Sequence, residues 1–175
     1  MTHNLLKGKR GIIFGALNED SIAWKVALKA AEEGAQITLS NTAMALRMGS
    51  LDKLAEQIGA TVIAADATSV EDLQHVFEES MNVLGGKVDF VLHSIGMSPN
   101  VRKHRTYDDL DYGYLQKTLD ISAISFHKML QVAKKLDASI SGIALRSAAI
   151  FCRASSLRSV AAYSIAHERS SIGGE

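Results

Sequence analysis

Apolar positions along this chain fall into short continuous runs that alternate with stripes at helical spacing. Residues 11–14 form the first run and read as a buried strand. Ile22, Val26 and Ala30, interleaved with Ala23, Ala27 and Ala31, then predict a helix over 22–33 that Gly34 ends. The same alternation predicts a strand at 35–40, a helix at 44–58 closed by Gly59, a strand at 61–65, a helix at 70–84 with Ser69 as its N-cap, and a strand at 88–93. The last run is apolar almost throughout, as expected of a strand covered on both faces. Three strand–helix units and a fourth strand predict an α/β fold: a Rossmann-type, doubly wound parallel sheet with right-handed crossovers.

In such a sheet, ligands bind outside the carboxyl ends of the strands, where the strand order reverses. The informative positions are therefore Gly15 to Ser21, Asn41 and Thr42, Asp66 and Ala67, and Ser94 to Ser98. Gly15 has no Cβ, so a phosphate can approach its backbone closely. Ser21 is a candidate N-cap for the first helix, whose unpaired N–H groups and positive dipole end attract a diphosphate. The stretch is not a G-x-G-x-x-G fingerprint, because Leu17 and Asn18 interrupt it. After the second strand, where an acidic residue often takes the adenosine ribose hydroxyls, the chain has Ser40, Asn41 and Thr42, and Arg47 follows within reach of a 2′-phosphate. These residues leave the choice between NADH and NADPH open.

Composition narrows the classes. A chain of 175 residues, 47% hydrophobic, with formal net charge zero, suits one soluble domain and argues against nucleic acid as the main partner. It has no apolar run of about 18 residues, so no transmembrane helix is expected, and residues 1–10 lack the apolar core of a secretory signal. A cytoplasmic protein is the expectation. The single cysteine, Cys152, has no disulfide partner and no companions for a metal, so no metal site is expected.

Several of these residues carry a family resemblance. Gly15-Ala16, Ser21-Ile22-Ala23-Trp24, Asp66-Ala67, His93-Ser94-Ile95-Gly96 and the segment Leu119-Asp120-Ile121-Ser122 through Ser125-Phe126 resemble, in order and spacing, the bacterial enoyl-acyl-carrier-protein reductases of the divergent short-chain dehydrogenase group. The resemblance covers about residues 3–137. It implies reduction of the C2=C3 bond of a trans-2-enoyl thioester on acyl carrier protein, in fatty-acid elongation, by a homotetrameric enzyme. Hydride from the nicotinamide goes to C3, and the enolate oxygen needs a hydrogen-bond donor. It further implies that Gly15, Ser21 and Ile22 hold the diphosphate and that Asn41 or Thr42 lies near the adenosine ribose. Asp66 and Ala67 would frame the adenine, Ser94, Ile95 and Gly96 would flank the nicotinamide ribose, and Ser98 would edge the substrate pocket. A helix N-terminal acid is the plainer reading of Asp66. His93 reads as a packed histidine, Arg102 to Arg105 as a solvated basic loop or a patch for the acidic carrier, and Tyr107, Tyr112 and Tyr114 as packing or interface residues.

Beyond residue 137 the pattern changes. The family would continue with a fifth strand and a Tyr-x6-Tyr-x6-Lys helix, whose second tyrosine serves the enolate and whose lysine holds the nicotinamide ribose. Here all 11 lysines precede residue 136, and the last 38 residues hold nine serines, four arginines and no aspartate. Residues 142–145 suggest a fifth strand, and Tyr163 with His167 faintly resembles a Tyr-x3-Lys helix, yet histidine does not replace a permanently charged lysine. The expectation is a dinucleotide-binding domain over 1–137 and an atypical tail over 138–175, produced by a shift of reading frame near codon 138 or by a genuinely different C-terminus. No catalytic residue is assigned. Two other readings stay open: a non-catalytic nucleotide-binding fragment or pseudoenzyme, and another nicotinamide-dependent reductase on the same fold.

Overall fold

The computed structural model describes residues 3–136. The expected strand at 142–145 and the Tyr163 segment lie outside the described residues. Four parallel strands form one sheet: β1 (Arg10–Phe14), β2 (Gln36–Asn41), β3 (Thr61–Ala64) and β4 (Phe90–His93), in the order β3-β2-β1-β4. The chain goes outward from β1 to β3 and then returns to the other side of β1, so the order reverses between β1 and β4. Phe14 pairs with Ser40 on one side and His93 on the other, which brings the strand ends level.

Strand alternation sends side chains to two covered faces. Ile12 and Phe14 point to the layer of α4 (Val70–Val83) and α7 (Ser125–Leu136), where they meet Leu73, Phe77 and Met129. Ile13, Leu39 and Leu92 point to the other layer, against Trp24 and Ala27 of α1 (Ile22–Glu32) and Leu54 of α3 (Leu51–Ile58). Both faces are dry, which is why β1 and β4 contain no charged residue between Gly11 and Phe14 or between Phe90 and Leu92. One polar pair crosses the α4 layer: Thr38 Oγ1 and Ser80 Oγ lie 2.7 Å apart, both fully buried.

Two elements differ from the sequence expectation. The helix expected at 44–58 is broken into α2 (Ala43–Met48) and α3. At the break, a Cβ on Gly49 would stand 2.6 Å from the Leu17 carbonyl oxygen, and the same carbonyl accepts the Ser50 N–H at 3.1 Å. The loop after β1 thus occupies the space that a continuous helix would need. The fourth strand begins two residues later than expected because Asp89 serves as a clamp. Its carboxylate accepts Arg10 N–H at 2.9 Å and Lys9 Nζ at 2.9 Å, which sets the register in which β4 joins β1.

Past β4 come the short helix α5 (Pro99–Arg102), α6 (Tyr112–Leu119), a π-helical turn (Asp120–Ile124) and α7. The excursion between α5 and α6 is closed at its base by the buried Asn100, whose side chain both donates to Asp111 O (3.0 Å) and accepts Asp111 N–H (3.1 Å). The basic run lies on this excursion and is solvated as expected, with Arg105 paired to Asp109 at 2.9 Å and Lys103 bonded to the Tyr114 hydroxyl. Tyr107 and Tyr112 are 93% and 78% exposed, so neither packs within the described residues.

Candidate functional site

The residues expected to converge lie along the carboxyl edge of the sheet, and the backbone stitches them together. Gly15 has φ +93, and a Cβ there would fall inside the Ser94 carbonyl group, so the loops after β1 and β4 touch through bare backbone. Gly15 N–H donates to Ser40 O at 3.0 Å and Ser94 N–H to Phe14 O at 3.2 Å. Asn41 joins the next loop: its Nδ2 donates to Ala16 O (2.9 Å), its Oδ1 accepts Thr42 N–H (2.8 Å), and its carbonyl accepts Ala65 N–H (2.9 Å). Thr42 is exposed and caps α2 by accepting Ala45 N–H at 3.3 Å.

Ser21 occupies the N-cap position of α1, but its hydroxyl faces back into the loop, donating to Asn18 O at 2.7 Å and accepting Leu17 N–H at 3.2 Å. The first turn of α1 therefore has neither a side-chain cap nor an acidic residue, and Ile22 is 46% exposed at its start. By contrast, α4 is capped by Ser69 with Glu71 and Asp72 in its first turn, and α6 is capped by Asp111. The open end of α1 is the polarity an anionic diphosphate needs.

Asp66 is exposed and stands three residues before the cap of α4, so it is not a first-turn acid of that helix. Its Oδ1 accepts both the Thr68 N–H (2.9 Å) and the Thr68 hydroxyl (2.8 Å), a closed turn that presents the buried Ala67 beside it. Ser94 and Ile95 are half-buried, Gly96 is exposed, and Ile95 packs on the α4/α7 core. The Ser98 hydroxyl is engaged as the cap of α5, accepting Val101 N–H at 3.4 Å.

Several residues at this edge had no site role assigned from the sequence, and they recur every third position along one helical segment. Ser122 Oγ accepts the Met97 N–H at 3.2 Å, Ser125 Oγ lies 2.8 Å from His93 Nε2, and Lys128 Nζ donates to Thr68 O at 2.9 Å and Asp120 Oδ1 at 3.0 Å. Their three-residue spacing on the segment that carries the family resemblance was the available signal, and only the fold shows which loops they meet. Ser125 Oγ also donates to Ile121 O at 2.6 Å; since a hydroxyl has one proton, Nε2–H is the donor toward Ser125. His93 is otherwise packed, edge-on to Phe126 at 5.5 Å, and burial pushes its pKa down. It is the packed histidine the sequence indicated.

A family model described as enoyl-(acyl carrier protein) reductase matches residues 15–167. The chain belongs to this family. Enoyl-[acyl-carrier-protein] reductase [NADH] 1 of Rhizobium meliloti (strain 1021) is 37% identical over 123 residues, which is 70% of this chain and 44% of that protein. The crystal structure of a FabI–NADH complex from Alistipes finegoldii matches with TM-score 0.76 and 68% identity, over 78% of this chain and 48% of that one. A Bacillus cereus enoyl-acyl carrier protein reductase crystallised with NADP+ matches with TM-score 0.67 and 26% identity, over 77% of this chain and 52% of that one. The chain thus spans about half the length of these enoyl reductase relatives. Among the described residues no helix is long and apolar enough to cross a membrane, and no three His, Cys, Asp or Glu side chains gather as a metal site.

Acid is expected to destabilise this half of the enoyl reductase fold in two stages. The folded-state pKa of His93 lies below its unfolded value of about 6.5, so the unfolded chain takes up the proton more readily, and stability falls as pH drops below that value. Glu33 is held below the usual carboxylate range by Lys29 and by the Leu5 and His3 N–H groups. At Asp89 burial opposes ionisation, but Arg10 N–H and Lys9 outweigh it and hold the carboxyl down. Their contributions are complete above about pH 4.5 and are lost as the pH falls through the depressed folded values. Thermal midpoints that stay constant from pH 8 to pH 4 are the contrary result.

Proposed function

We propose that this chain forms the dinucleotide-binding half of an enoyl-[acyl-carrier-protein] reductase, with NADH as the preferred cofactor and an enoyl thioester on acyl carrier protein as the substrate of the complete enzyme. The observation that carries the proposal is the junction at Gly15, where two loops meet without a side chain between them in the loop that leads to the uncapped start of α1. The site suits a dinucleotide: bare backbone at Gly15 lets the two loops close on each other, and the first turn of α1 carries no acidic residue. Gly15, Ser21 and Ile22 hold the diphosphate through backbone groups. Asn41 and Thr42 lie beside the adenosine ribose, Asp66 and Ala67 frame the adenine, and Ser94, Ile95 and Gly96 flank the nicotinamide ribose. Ser98, at the start of α5, edges the substrate side. When bound, NADH supplies the hydride for reduction of the enoyl double bond. Thr42 and Asn41 are neutral hydrogen-bonding groups suited to ribose hydroxyls, which favours NADH over NADPH.

These residues bind and orient; none of them donates a proton to substrate. No lysine follows Lys135, so the 175-residue chain lacks the tyrosine–lysine pair of the family and does not turn over. The test is a titration of NADH and NADPH into the purified chain, followed by quenching of Trp24, which is buried in the first turn of α1. Saturable NADH binding without NADH oxidation in the presence of an enoyl thioester is expected. Absence of binding at millimolar dinucleotide overturns the cofactor site, and turnover overturns the assignment of this chain as binding half alone.

A further inference from the structure

The two sides of the crevice are held differently. On the side of β1 and β4 the loops rest on each other through backbone contacts, as at Gly15 and Ser94. Among the described residues, the β3–α4 loop, which carries Asp66 and Ala67, has one backbone hydrogen bond to a neighbouring loop, from Ala65 N–H to the Asn41 carbonyl, and rests Ala65 and Ala67 on the α4/α7 core. It also closes on itself, through Asp66 Oδ1 with Thr68 and through Asp72 Oδ2, which accepts Asp66 N–H at 2.8 Å. Ala65 and Ala67 seat its inner edge, while the outer stretch with Asp66 and Thr68 has its shape set but not its place.

Lys128 reaches that loop from α7. Its ammonium donates to Thr68 O at 2.9 Å and to Asp120 Oδ1 at 3.0 Å, and its side chain is 26% exposed. Asp120 opens the π-helical turn, eight residues before Lys128. At that separation, in a regular α-helix, the two residues would stand about 12 Å apart along the axis, so the long lysine side chain must run back toward the N-terminus, the direction in which helical side chains lean. The carboxylate then fixes the ammonium while the ammonium holds the loop carbonyl. The same stripe carries Ser122, bonded to Met97 N–H in the loop after β4. One helix face therefore touches the loops on both sides of the crevice.

We infer that Lys128, anchored by Asp120, is a positioning residue that fixes the β3–α4 loop in the place where Asp66 and Ala67 receive the adenine end of the cofactor. The inference rests on the dinucleotide reading above. Lys128 does not touch the cofactor itself in this assignment: it acts through the Thr68 carbonyl, and Thr68 acts through Asp66.

The experiment compares the full chain with Lys128→Met and Lys128→Arg, using ADP-ribose and NADH as probes in calorimetry, thermal midpoints for the fold, and amide hydrogen exchange over residues 66–69. Lys128→Met keeps the aliphatic stem and removes the charge, so it is expected to weaken ADP-ribose and NADH about tenfold, the scale of one lost charge-assisted hydrogen bond in a partly buried site. Its thermal midpoint should stay close to that of the parent while exchange over 66–69 quickens, and Lys128→Arg should recover most of the affinity. Equal affinities for the parent and Lys128→Met overturn the inference and leave the dinucleotide site standing. A fall in affinity matched by a fall in midpoint, with exchange faster throughout and no recovery in Lys128→Arg, overturns it in favour of a general brace. If the parent binds neither probe, the dinucleotide reading fails, and this inference falls with it.

Discussion

Gly15→Ala is expected to cost the fold roughly 2–5 kcal/mol, the sum of an unfavourable left-handed backbone and an overpacked contact, and to abolish NADH binding. The new methyl group would enter the Ser94 carbonyl, and that oxygen belongs to the backbone, so no rotamer change can make room. Either β1 or the loop after β4 must move, and the Gly15–Ser40 and Ser94–Phe14 hydrogen bonds are in the way of both movements. Gly85→Ala separates strain from collision: Gly85 also has positive φ, at +68, but nothing lies within 4 Å of its Cβ position. Its cost should be about 1 kcal/mol, from conformational strain alone. Urea midpoints for the two variants decide the matter; equal losses would mean that the junction has slack.

Phe14→Ala should be comparably severe, at about 3–5 kcal/mol, the range for truncating a fully buried aromatic side chain. Phe14 is 1% exposed, the last residue of β1, and its ring fills the layer between the sheet and α4 with α7. Since a domain of this size has a total stability of about 5–15 kcal/mol, much of the population would unfold on mild warming. The half-buried Phe90, on the opposite layer, supplies the comparison, and truncation there should cost less. A loss below about 2 kcal/mol at Phe14 would show that neighbouring side chains collapse into the space, and that the layer is softer than its burial implies.

Much of this architecture is legible in the chain itself, because strands buried on both faces must be apolar throughout and helices that cover them must repeat at 3.6. Ile12, Ile13 and Phe14 announce β1 in that way, and the residues just after each strand could be placed at the carboxyl edge of the sheet without knowing any contact. What stayed hidden has a common cause: it depends on atoms distant in sequence. The break between α2 and α3 comes from the carbonyl of Leu17, 32 residues before Gly49, and the only local hints are that glycine and the Ser50 after it. Likewise Ser122, Ser125 and Lys128 look like an ordinary polar stripe until the fold brings Met97, His93 and Thr68 against them. Ser21 fails in the opposite sense. Its residue type suits an N-cap, yet the tight loop before it captures the hydroxyl first.

The short helix α2 and the turn before it sit at the crevice edge on the β2 side, where Thr42, Met44, Arg47 and Met48 are all exposed. Gly49 and Asn41 tether this segment at its two ends, and the positions between them bear little of the core. Tolerance to change is therefore uneven along this edge: the exposed Met44, Arg47 and Met48 can vary with the fold intact, while residues 14–16 cannot. On the dinucleotide reading proposed above, selection for one cofactor over the other would find raw material on this rim, and a library built to exchange that preference belongs there.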